Sequence, residues 1–401
     1  MPIIVQKYGG SSIADIEKIK KVAAKIVARK NEGFDVAVVV SAMGKTTNEF
    51  IGMAREISQN PPKREMDMLL TVGERITMSL LCIAINDLGV EAVSLTGSQA
   101  GIITNDCHND ARVIEVRPFR VQDELRRGKI VVVGGFQGVS YKREITTLGR
   151  GGSDTSAVAL AAALSAEACE IYSDVDGIYS ADPNLVEGSQ HLPEISYQMM
   201  QEMSMAGAKV LNAQAVEFAK SAQIALFARS TFNEGKETEV RKLAEGQPKG
   251  VKAVTYENDV VRVKIIGDDN KNLNWLLKIL DEENVSIKEL NVVDESETNC
   301  SKASFIISHK NIYHWEQLKN KFQNKLQNSL SFDYDISTLS IIGEGINKEN
   351  SVLLNTLDLF EKNDIEVLGL STTSFRLSFI VEKNKISDAV KLTHKKWIET
   401  A

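Results

Sequence analysis

The segment Thr146–Thr155 places three glycines, one arginine and one aspartate within ten residues, just before an alanine-rich run at 157–166. That run has high helix propensity. Unpaired backbone N–H groups at a helix start attract anions, and glycine lets a ligand approach the backbone closely. Arg150 adds a planar guanidinium suited to a carboxylate or a phosphate. The segment predicts an anion site at a helix start capped by Ser153 or Asp154; the alternative is a flexible loop with an ordinary cap.

The start of the chain predicts a second site, for phosphate. Ile3–Tyr8 has the composition of a strand and runs directly into Gly9 and Gly10. Strand, glycine turn and helix form the usual layout of a phosphate site. Lys7, at the end of the strand, is expected to meet a phosphoryl group; the alternative is a surface lysine beside an ordinary turn. The helix is predicted from apolar residues at helical spacing, namely Ile16, Ile19, Val22, Ala23, Ile26 and Val27.

A further apolar run, Val36–Val40, predicts a strand that ends in small hydroxyl residues. Residues 44–46 (Gly-Lys-Thr) match the end of a phosphate-binding P-loop, but Val39 stands where that motif needs its first glycine. The P-loop interpretation is therefore excluded. Ligands of open α/β sheets bind at the carboxyl ends of strands, which makes Ser41 and Thr47 candidate substrate contacts. Turn formation and helix capping explain both residues equally well.

Composition limits the class of protein. The chain has 401 residues, 43% hydrophobic and 25% charged, a balance typical of two or three globular domains. A net charge of −7 argues against nucleic acid as a partner. The four cysteines form no CxxC pair and the five histidines show no metal-ligand spacing, so we expect free thiols, a cytoplasmic location and no protein-held metal. No signal-peptide pattern opens the chain and no apolar run reaches the roughly 20 residues that span a bilayer, so no membrane partner is expected.

Strands and helices alternate over residues 1–232, which predicts a largely parallel sheet with helices on both faces. The expected strands are Ile3–Tyr8, Val36–Val40, Ala92–Leu95, Ile130–Val133, Cys169–Tyr172 and Ile224–Phe227. The expected helices include Glu65–Ile85, Asp154–Leu164, Tyr197–Met205 and Ala213–Lys220.

Beyond this domain, the polar residues 233–258 are interpreted as a linker. Two units follow, at 259–332 and 333–401, each with the order strand, helix, strand, strand, helix. Paired small α+β modules after a larger domain suggest ligand sensing or dimerisation, and a structural appendage is the alternative. The second unit ends just after its last helix, so we expect its sheet to be one strand shorter.

Seven stretches of the first domain, in register, resemble the aspartate kinases that carry two C-terminal ACT modules. Each stretch alone is moderately specific, and all seven together are very specific. They are Lys7–Ser12, Ser41–Gly44, Thr71–Glu74, Thr146–Thr155, Ile171–Tyr179, Ala181–Pro183 and Gly207–Leu211.

The resemblance implies an α/β fold: the amino-acid-kinase α/β/α sandwich, with a central sheet of about eight mostly parallel strands, followed by two ferredoxin-like βαββαβ ACT domains. It also implies transfer of the γ-phosphoryl group of ATP, with Mg²⁺, to the side-chain carboxylate of L-aspartate. That reaction starts the route to lysine, methionine and threonine.

The resemblance assigns the phosphate contacts. Lys7 and Lys209 match the two ATP-contacting lysines, and Gly9 and Gly10 are expected to donate backbone N–H groups to phosphate oxygens. Asp154 is expected to hold Lys7 in place, so Lys7, Asp154 and Lys209 form the predicted catalytic set. Mg²⁺ retains waters and binds chiefly to phosphates, so no dedicated protein cage is expected. The other predicted ATP contacts are Tyr8, Ser173, Asp174, Tyr179, Ser180, Ala181, Asp182, Pro183 and Val210.

The charges of aspartate determine the other half of the site. Arg150 matches the residue that binds the α-carboxylate, and Glu74 and Asp154 match those that bind the α-ammonium group. Without the resemblance, Glu74 would be predicted as a surface carboxylate of the Glu65–Ile85 helix. The other predicted substrate contacts are Ser41, Thr47, Phe136, Gly151, Gly152 and Ser153.

The chain also departs from the family pattern. After the second lysine the family often has Val-Leu-His-Pro-Arg, where residues 210–214 are Val-Leu-Asn-Ala-Gln. Regulated members have Asp-x-Pro-Gly at the effector turn of an ACT module, where this chain has Asn270–Leu273 and Glu349–Ser351, and the family's Ser-Thr-Ser-Glu is Ser-Thr-Thr-Ser at 371–374. Loss of glycine removes close backbone approach, and loss of acids removes partners for an ammonium group. We expect weak or altered inhibition by lysine or threonine, with the modules kept mainly to form a homodimer.

Two other functions stay open from the sequence. A kinase of another acceptor, such as glutamate, N-acetylglutamate or UMP, would share the fold; Glu74, the Arg150–Asp154 segment and the paired modules favour aspartate. A non-catalytic amino-acid sensor with a kinase fold would not need Lys7, Asp154 and Lys209, and all three are present.

Overall fold

The computed structural model describes residues 1–149, 151–208, 210–233, 235–243, 250–267, 271–283, 285–295, 300–309, 312 and 315–400. The chain divides into two units. The first comprises residues 1–179 and 191–247, and the second comprises residues 180–190 and 248–401.

The first unit alternates strands and helices. Its strands are β1 (Ile3–Tyr8), β2 (Asp35–Val40), β3 (Ala92–Leu95), β4 (Ile102–Thr104), β5 (Val113–Val116), β6 (Ile130–Gly134), β7 (Gln137–Ser140), β8 (Ile145–Thr147), β9 (Ala168–Ser173), β10 (Ile178–Tyr179), β11 (His191–Leu192), β12 (Glu194–Ser196), β13 (Ala225–Ser230) and β14 (Glu237–Arg241). Its helices are α1 (Ile16–Asn31), α2 (Thr46–Ile57), α3 (Lys63–Leu70), α4 (Val72–Asp87), α5 (Phe119–Arg126), α6 (Gly152–Ala163), α7 (Tyr197–Met205) and α8 (Ala213–Ala222).

Eight strands form the central sheet of this unit, in the order β12-β14-β13-β9-β1-β2-β6-β3. The strands from β13 to β3 are parallel to one another, whereas β14 pairs antiparallel with β13. β2 and β6 are buried along almost their whole length, because a parallel sheet covered on both faces needs apolar residues at successive positions. The predicted α/β fold with a largely parallel sheet is confirmed.

Helices cover both faces of the sheet. Val36, Val38 and Val40 of β2 pack in one core with residues of α1 and α4. Val39 lies on the opposite face, where α6 packs on β1 and β2. The alternation follows from the two-residue period of a strand, which sends successive side chains to opposite faces.

A second sheet, with the order β5-β4-β7-β8, is not anticipated by the sequence pattern. Its strands contain three or four residues each, too few for a two-residue period to stand out. The sheet anchors the start of the glycine-rich segment. Thr146 shares a hydroxyl hydrogen bond of 2.6 Å with Thr104, and Thr147 donates one of 2.5 Å to Asp67.

Two predictions about helices are wrong. The stretch predicted as one helix, Glu65–Ile85, forms α3 and α4 with Thr71 between them. The predicted N-cap of α6 at Ser153 or Asp154 is also wrong, because Gly151 is the N-cap and both side chains lie in the first turn. Gly151 has a φ of +69°, a left-handed conformation that glycine adopts without steric cost.

The stretch formed by α3 and α4, Lys63–Asp87, is long and apolar enough, by length and composition alone, to cross a membrane. Of its most apolar window, 50% is buried inside the protein. Core helices of soluble proteins meet the same two criteria, so this finding is weak support for a membrane span.

The second unit contains two sheets of four strands each. Its strands are β15 (Gly250–Glu257), β16 (Val261–Gly267), β17 (Lys288–Glu295), β18 (Cys300–Ile307), β19 (Leu330–Asp333), β20 (Ile336–Glu344), β21 (Gly369–Thr372) and β22 (Arg376–Glu382). Its helices are α9 (Lys271–Glu282), α10 (Trp315–Leu326), α11 (Ser351–Glu361) and α12 (Ile386–His394). One module has the antiparallel order β17-β18-β16-β19, and the other has the order β15-β20-β22-β21.

The two modules are not simply consecutive. β15 pairs antiparallel with β20 and completes the second module, although it precedes every element of the first. The expectation of a sheet one strand shorter is therefore wrong, because the missing strand comes from upstream. The residues interpreted as a linker also differ from that expectation, since β14 belongs to the central sheet of the first unit and β15 to the second module. Residues 244–249 between them lie outside the described residues.

Residues 180–190 belong to the second unit although the chain before and after them belongs to the first. Ser180 Oγ lies 2.8 Å from His394 Nε2 and accepts a hydrogen bond of 2.8 Å from the Gln190 N–H. His394 Nδ1 lies 2.9 Å from Glu399 Oε1. Because a carboxylate accepts, the Nδ1–H donates to Glu399, and in the neutral imidazole Nε2 then accepts from the Ser180 hydroxyl. His394 is fully buried, so this chain of hydrogen bonds joins residues 180–190 to the end of α12.

We expect His394→Ala to lower the free energy of unfolding by about 2–4 kcal/mol, because it leaves a cavity and an unpaired Ser180 hydroxyl. Urea unfolding followed by circular dichroism measures the change. Lys391→Ala, on the exposed face of the same helix, is the matched control and should change stability by less than about 0.5 kcal/mol. Equal losses in the two variants would contradict a role for the buried imidazole.

Candidate active site

Four parallel strands of the central sheet end side by side. Tyr8 is in register with Val40 and with Tyr172, and Val40 is in register with Gly134. The turns that follow are joined by backbone hydrogen bonds from Ser41 N–H to Tyr8 O, 3.2 Å, and from Gly135 N–H to Val40 O, 2.9 Å. The carboxyl edge of an open α/β sheet is where such folds bind ligands.

An ion pair lies at this edge. Lys7 Nζ, near the end of β1, is 2.7 Å from Asp154 Oδ1 in the first turn of α6. The two side chains are only 12% and 11% exposed. A carboxylate in the first turn of a helix is favoured by the helix dipole, and here it also fixes the position of the ammonium group. The predicted contact between Lys7 and Asp154 is present.

The glycine turn after β1 packs tightly against the turn after β2. A Cβ at Gly10 would lie 2.8 Å from the Ala42 carbonyl oxygen, and the Gly44 N–H donates to the Gly10 oxygen over 3.1 Å. Gly10 is therefore needed for close approach of the two turns. The Gly9 N–H donates to Tyr172 O over 3.1 Å, and its predicted donation to phosphate stays a prediction. Gly10 opens the short helical turn Gly10–Ile13, and the first N–H groups of a helix have no partner within it.

Glu74 is buried beside the same turns. Its side chain lies in the first turn of α4, the residue is 3% exposed, and Oε1 accepts a hydrogen bond of 3.0 Å from the Ala42 N–H. Burial raises the pKa of the Glu74 carboxyl to about 7. Within the described part of the chain, the buried Oε2 has no hydrogen-bond partner. Glu74 is therefore not the surface carboxylate that would be predicted without the resemblance, because the start of α4 packs against the turn that carries Ala42.

The start of α6 requires its glycines. A Cβ at Gly152 would lie 2.7 Å from Leu148 Cβ, and one at Gly151 would collide with the Asn212 amide. Asn212 is a residue that sequence reasoning treated only as a departure from the family. Its Oδ1 caps α8 by accepting from the N–H groups of Gln214 and Ala215, at 2.8 and 3.3 Å. The start of α8 thus lies against the glycine segment, and an N-cap preference for Asn was the available signal.

The remaining predicted substrate contacts lie on the same turns. Phe136 follows β6 with a φ of +64°, and its N–H donates to Ser156 Oγ over 3.1 Å. Ser41 directly follows β2, Thr47 lies in the first turn of α2, and both are half-buried. Ser153 is 7% exposed. Arg150 and Lys209 lie outside the described residues, so their predicted roles stay predictions.

The first part of the predicted ATP wall lies in the first unit. Ser173 and Asp174 follow β9, and Tyr179 in β10 donates from its hydroxyl to Asp176 Oδ1 over 2.9 Å. The Tyr179 ring packs edge-on against His191 at a centroid distance of 5.4 Å. Val210 is half-buried, next to α8 in the chain.

Residues 180–183 belong to the second unit. The N–H of Ser180 donates to Gln190 O over 2.8 Å, and its carbonyl oxygen accepts from the Val254 N–H over 2.7 Å. Ala181 packs in the core of the second module, and Asp182 Oδ2 accepts from the Tyr256 hydroxyl over 3.3 Å. The polar groups of Ser180 are thus used inside the second unit, and the nucleotide contact predicted for this stretch, which also includes Pro183, stays a prediction.

Comparison with known proteins identifies the family. Residues 2–229 match the sequence profile of the amino acid kinase family. An aspartokinase of Bacillus sp. (strain MGA3) is 39% identical over 399 residues, which cover 98% of this chain and 97% of that protein. An aspartokinase of Mycolicibacterium smegmatis is 39% identical over 403 residues, which cover 98% and 96%.

Solved structures agree in fold. Aspartokinase III of E. coli, in complex with aspartate and ADP, superposes with a TM-score of 0.85 at 22% identity, covering 98% of this chain and 99% of that one. The aspartate kinase of Synechocystis superposes with a TM-score of 0.56 at 33% identity, covering 98% of this chain and 69% of that one. Near-complete coverage by sequence and by structure leads to one conclusion: this chain belongs to the aspartokinases of the amino acid kinase family.

Proposed function

We propose that the enzyme transfers the γ-phosphoryl group of ATP to the side-chain carboxylate of L-aspartate at the carboxyl edge of the central sheet. The observation that carries this proposal is that an ion pair and a buried carboxyl lie on elements at the same edge of the sheet. The Lys7–Asp154 pair supplies a fixed cation, and the Glu74 carboxyl supplies a buried oxygen without a partner among the described residues. The first suits a phosphoryl group and the second suits an ammonium group.

On the phosphate side, Lys7 neutralises charge on the transferring group. Phosphoryl transfer proceeds through a loose transition state, so the protein contributes mainly position and electrostatic stabilisation. Asp154 holds the Lys7 ammonium group at one point and thereby reduces the reorganisation that the reaction requires. The first N–H groups of the Gly10 turn contact phosphate oxygens, and Lys209 approaches the triphosphate as the second cation.

On the substrate side, Glu74 receives the α-ammonium group of aspartate, and Arg150 binds the α-carboxylate with two parallel hydrogen bonds. Burial deprives the Glu74 carboxyl of water, and the substrate ammonium group replaces that water as a hydrogen-bond partner. Substrate binding therefore favours the ionised carboxylate. The pocket is completed by contacts from the surrounding turns, namely Ser41, Thr47, Phe136, Gly151, Gly152, Ser153 and Asp154.

ATP with Mg²⁺ is the proposed phosphoryl donor. In the described part of the chain, no group of three His, Cys, Asp or Glu side chains could hold a metal ion. Mg²⁺ would therefore be bound chiefly by the nucleotide phosphates and water, and it would balance the charge of the triphosphate. Ser173, Asp174 and Tyr179, at the end of β9 and in β10, would lie along the nucleotide.

We expect Lys7→Met to lower kcat by about 10²–10³, because it removes the cation that stabilises the transferring group. The variant also leaves Asp154 buried without a cation, which should cost about 3–5 kcal/mol of stability. Coupled-assay kinetics and thermal unfolding measure the two effects. Lys21→Met, on the exposed face of α1, is the matched control and should change neither.

The double variant Lys7→Met/Asp154→Asn separates chemistry from folding. It should regain most of the lost stability, because no uncompensated charge stays buried, while kcat stays low. Recovery of activity together with stability would show that the ion pair is only structural.

We expect KM for aspartate to rise as the pH falls below about 7, by at most about tenfold per pH unit, because Glu74 becomes protonated and loses its attraction for the ammonium group. Steady-state kinetics between about pH 6 and pH 8 measure this dependence. Glu74→Gln should have a high KM that does not change over this range. A wild-type KM independent of pH would contradict the proposed role.

The same pKa shift has a consequence for folding. The folded-state pKa lies above the unfolded value, so the folded form binds more protons and wild-type stability falls as the pH rises from about 4.5 to about 7. In Glu74→Gln the part of the stability loss that is due to this carboxyl should be absent. Thermal unfolding of both proteins at about pH 4.5 and about pH 7 measures the difference.

The two C-terminal modules, which we assign as ACT domains, are proposed to form a homodimer and to retain at most a weak effector site for lysine or threonine. Exposed apolar side chains on the edge strand β17 support the dimer: Leu290, Val292 and Val293 are 46%, 46% and 48% exposed. Asn350 occupies the N-cap position of α11, but its side chain makes no capping hydrogen bond. Asn270 lies outside the described residues. A cytoplasmic location is proposed, since Cys82, Cys107 and Cys169 are free thiols.

We expect lysine and threonine, singly or together at low millimolar concentration, to leave the rate of aspartate phosphorylation nearly unchanged, because the acids and glycines that hold an effector are replaced. The measurement is trapping of the acyl phosphate by hydroxylamine, with glycine added at equal concentration as the control. Strong inhibition by either amino acid would contradict the proposed loss of effector binding.

A further inference from the structure

We propose that an open cavity of about 550 Å³ in the first unit binds a small phosphorylated metabolite through the guanidinium groups of Arg75, Arg117 and Arg143. The cavity is lined by residues of α4 and by the β7–β8 turn, together with residues that follow β3 and β5. Lys7, Glu74 and the other predicted active-site residues do not line it. The proposal therefore concerns a second anion site and does not depend on the assignment of the kinase reaction.

The charge of the cavity is not balanced by the protein. Arg117 pairs with Glu115 at 2.6 Å. Within the described ranges, no carboxylate lies at ion-pair distance from Arg75 or Arg143. The Nε of Arg75 is buried and has no hydrogen-bond partner among the described residues. The protein thus leaves the Arg75 guanidinium incompletely hydrogen-bonded, which is unfavourable for a buried donor.

Arg143 occupies a position whose backbone conformation does not favour arginine. It has a φ of +68° in the β7–β8 turn, where glycine or asparagine would be more favourable. The turn is closed by hydrogen bonds from Arg143 N–H to Ser140 O, 2.8 Å, and from Ser140 N–H to Glu144 O, 2.9 Å. Lys142 pairs with Asp106 at 2.9 Å beside it. The guanidinium of Arg143 thus extends from a hydrogen-bonded turn. An arginine there has a less favourable backbone conformation than a glycine would have.

The chemistry of the lining identifies the class of ligand. Three arginines present paired N–H groups, which match the oxygens of a phosphoryl group, and the hydroxyls of Thr96 and Ser98 add further polar contacts. The volume lies in the range of about 300–1,000 Å³ found for small-molecule sites, well above the size of free phosphate. A phosphoryl group on a larger organic body is the occupant that fits both observations.

Calorimetric titration of the full chain with pyrophosphate, at constant ionic strength, tests the proposal. We expect Arg143→Gly to weaken binding at the cavity by about tenfold or more, since it removes charge-assisted hydrogen bonds. The melting temperature without ligand should not fall, because glycine relieves the left-handed backbone. Arg117→Gln is a second variant with the same expected loss. Arg126→Gln is the control, because Arg126 is 72% exposed and pairs only with Asp123 among the described residues.

Binding to the glycine turn after β1 is common to every variant, so only differences between variants report on the cavity. Equal pyrophosphate affinity in wild type, Arg143→Gly and Arg117→Gln would overturn the proposal. Binding of succinate with the same dependence on Arg143, and none of pyrophosphate, would overturn the phosphoryl class of ligand. Loss of pyrophosphate binding in the two cavity variants, with Arg126→Gln unchanged, is the supporting result.

Discussion

The buried pair of Lys7 and Asp154 is the interaction on which the organisation of the site depends. It joins the end of the first strand to the first turn of α6, two elements that are far apart in the chain and adjacent in the sheet-and-helix layers. Removing either charge would leave the other buried without a partner, which is strongly unfavourable. The pair therefore constrains the protein to bring β1 and α6 together in one arrangement, and that arrangement aims the glycine turns at the same edge.

Glu74 differs from this pair, because only one oxygen of its buried carboxyl has a hydrogen-bond partner among the described residues. The Ala42 N–H binds one oxygen, and burial of the other raises the pKa to about 7. A protein that needed only stability would place an apolar side chain there, because an unsatisfied buried polar group costs free energy. Keeping the carboxyl makes sense if a cationic group of the substrate completes its bonding. Stability is then lower without substrate and higher with it.

The second unit adds a constraint of connectivity. Its second module takes one strand, β15, from upstream of the first module, so the first module is inserted into the second. Residues 180–190 also belong to this unit, held by the hydrogen bonds of Ser180, His394 and Glu399. Tyr179 directly precedes this segment in the chain.

The sequence by itself determined the class of fold, the main strands and the contact between Lys7 and Asp154. Continuous apolar runs such as Val36–Val40 and glycine turns such as Gly9-Gly10 are local signals, and they predict local structure well. Tertiary structure alone decided what depends on distant residues. The burial of Glu74 follows from packing against the turn that carries Ala42, which a helical period does not record. Three other contacts likewise depend on partners far along the chain. The Gly9 N–H donates to Tyr172 O, β15 pairs with β20 in the second module, and the Ser180 hydroxyl is hydrogen-bonded to His394. A one-dimensional pattern reports the period of an element, whereas burial and pairing are properties of the layers into which the elements pack.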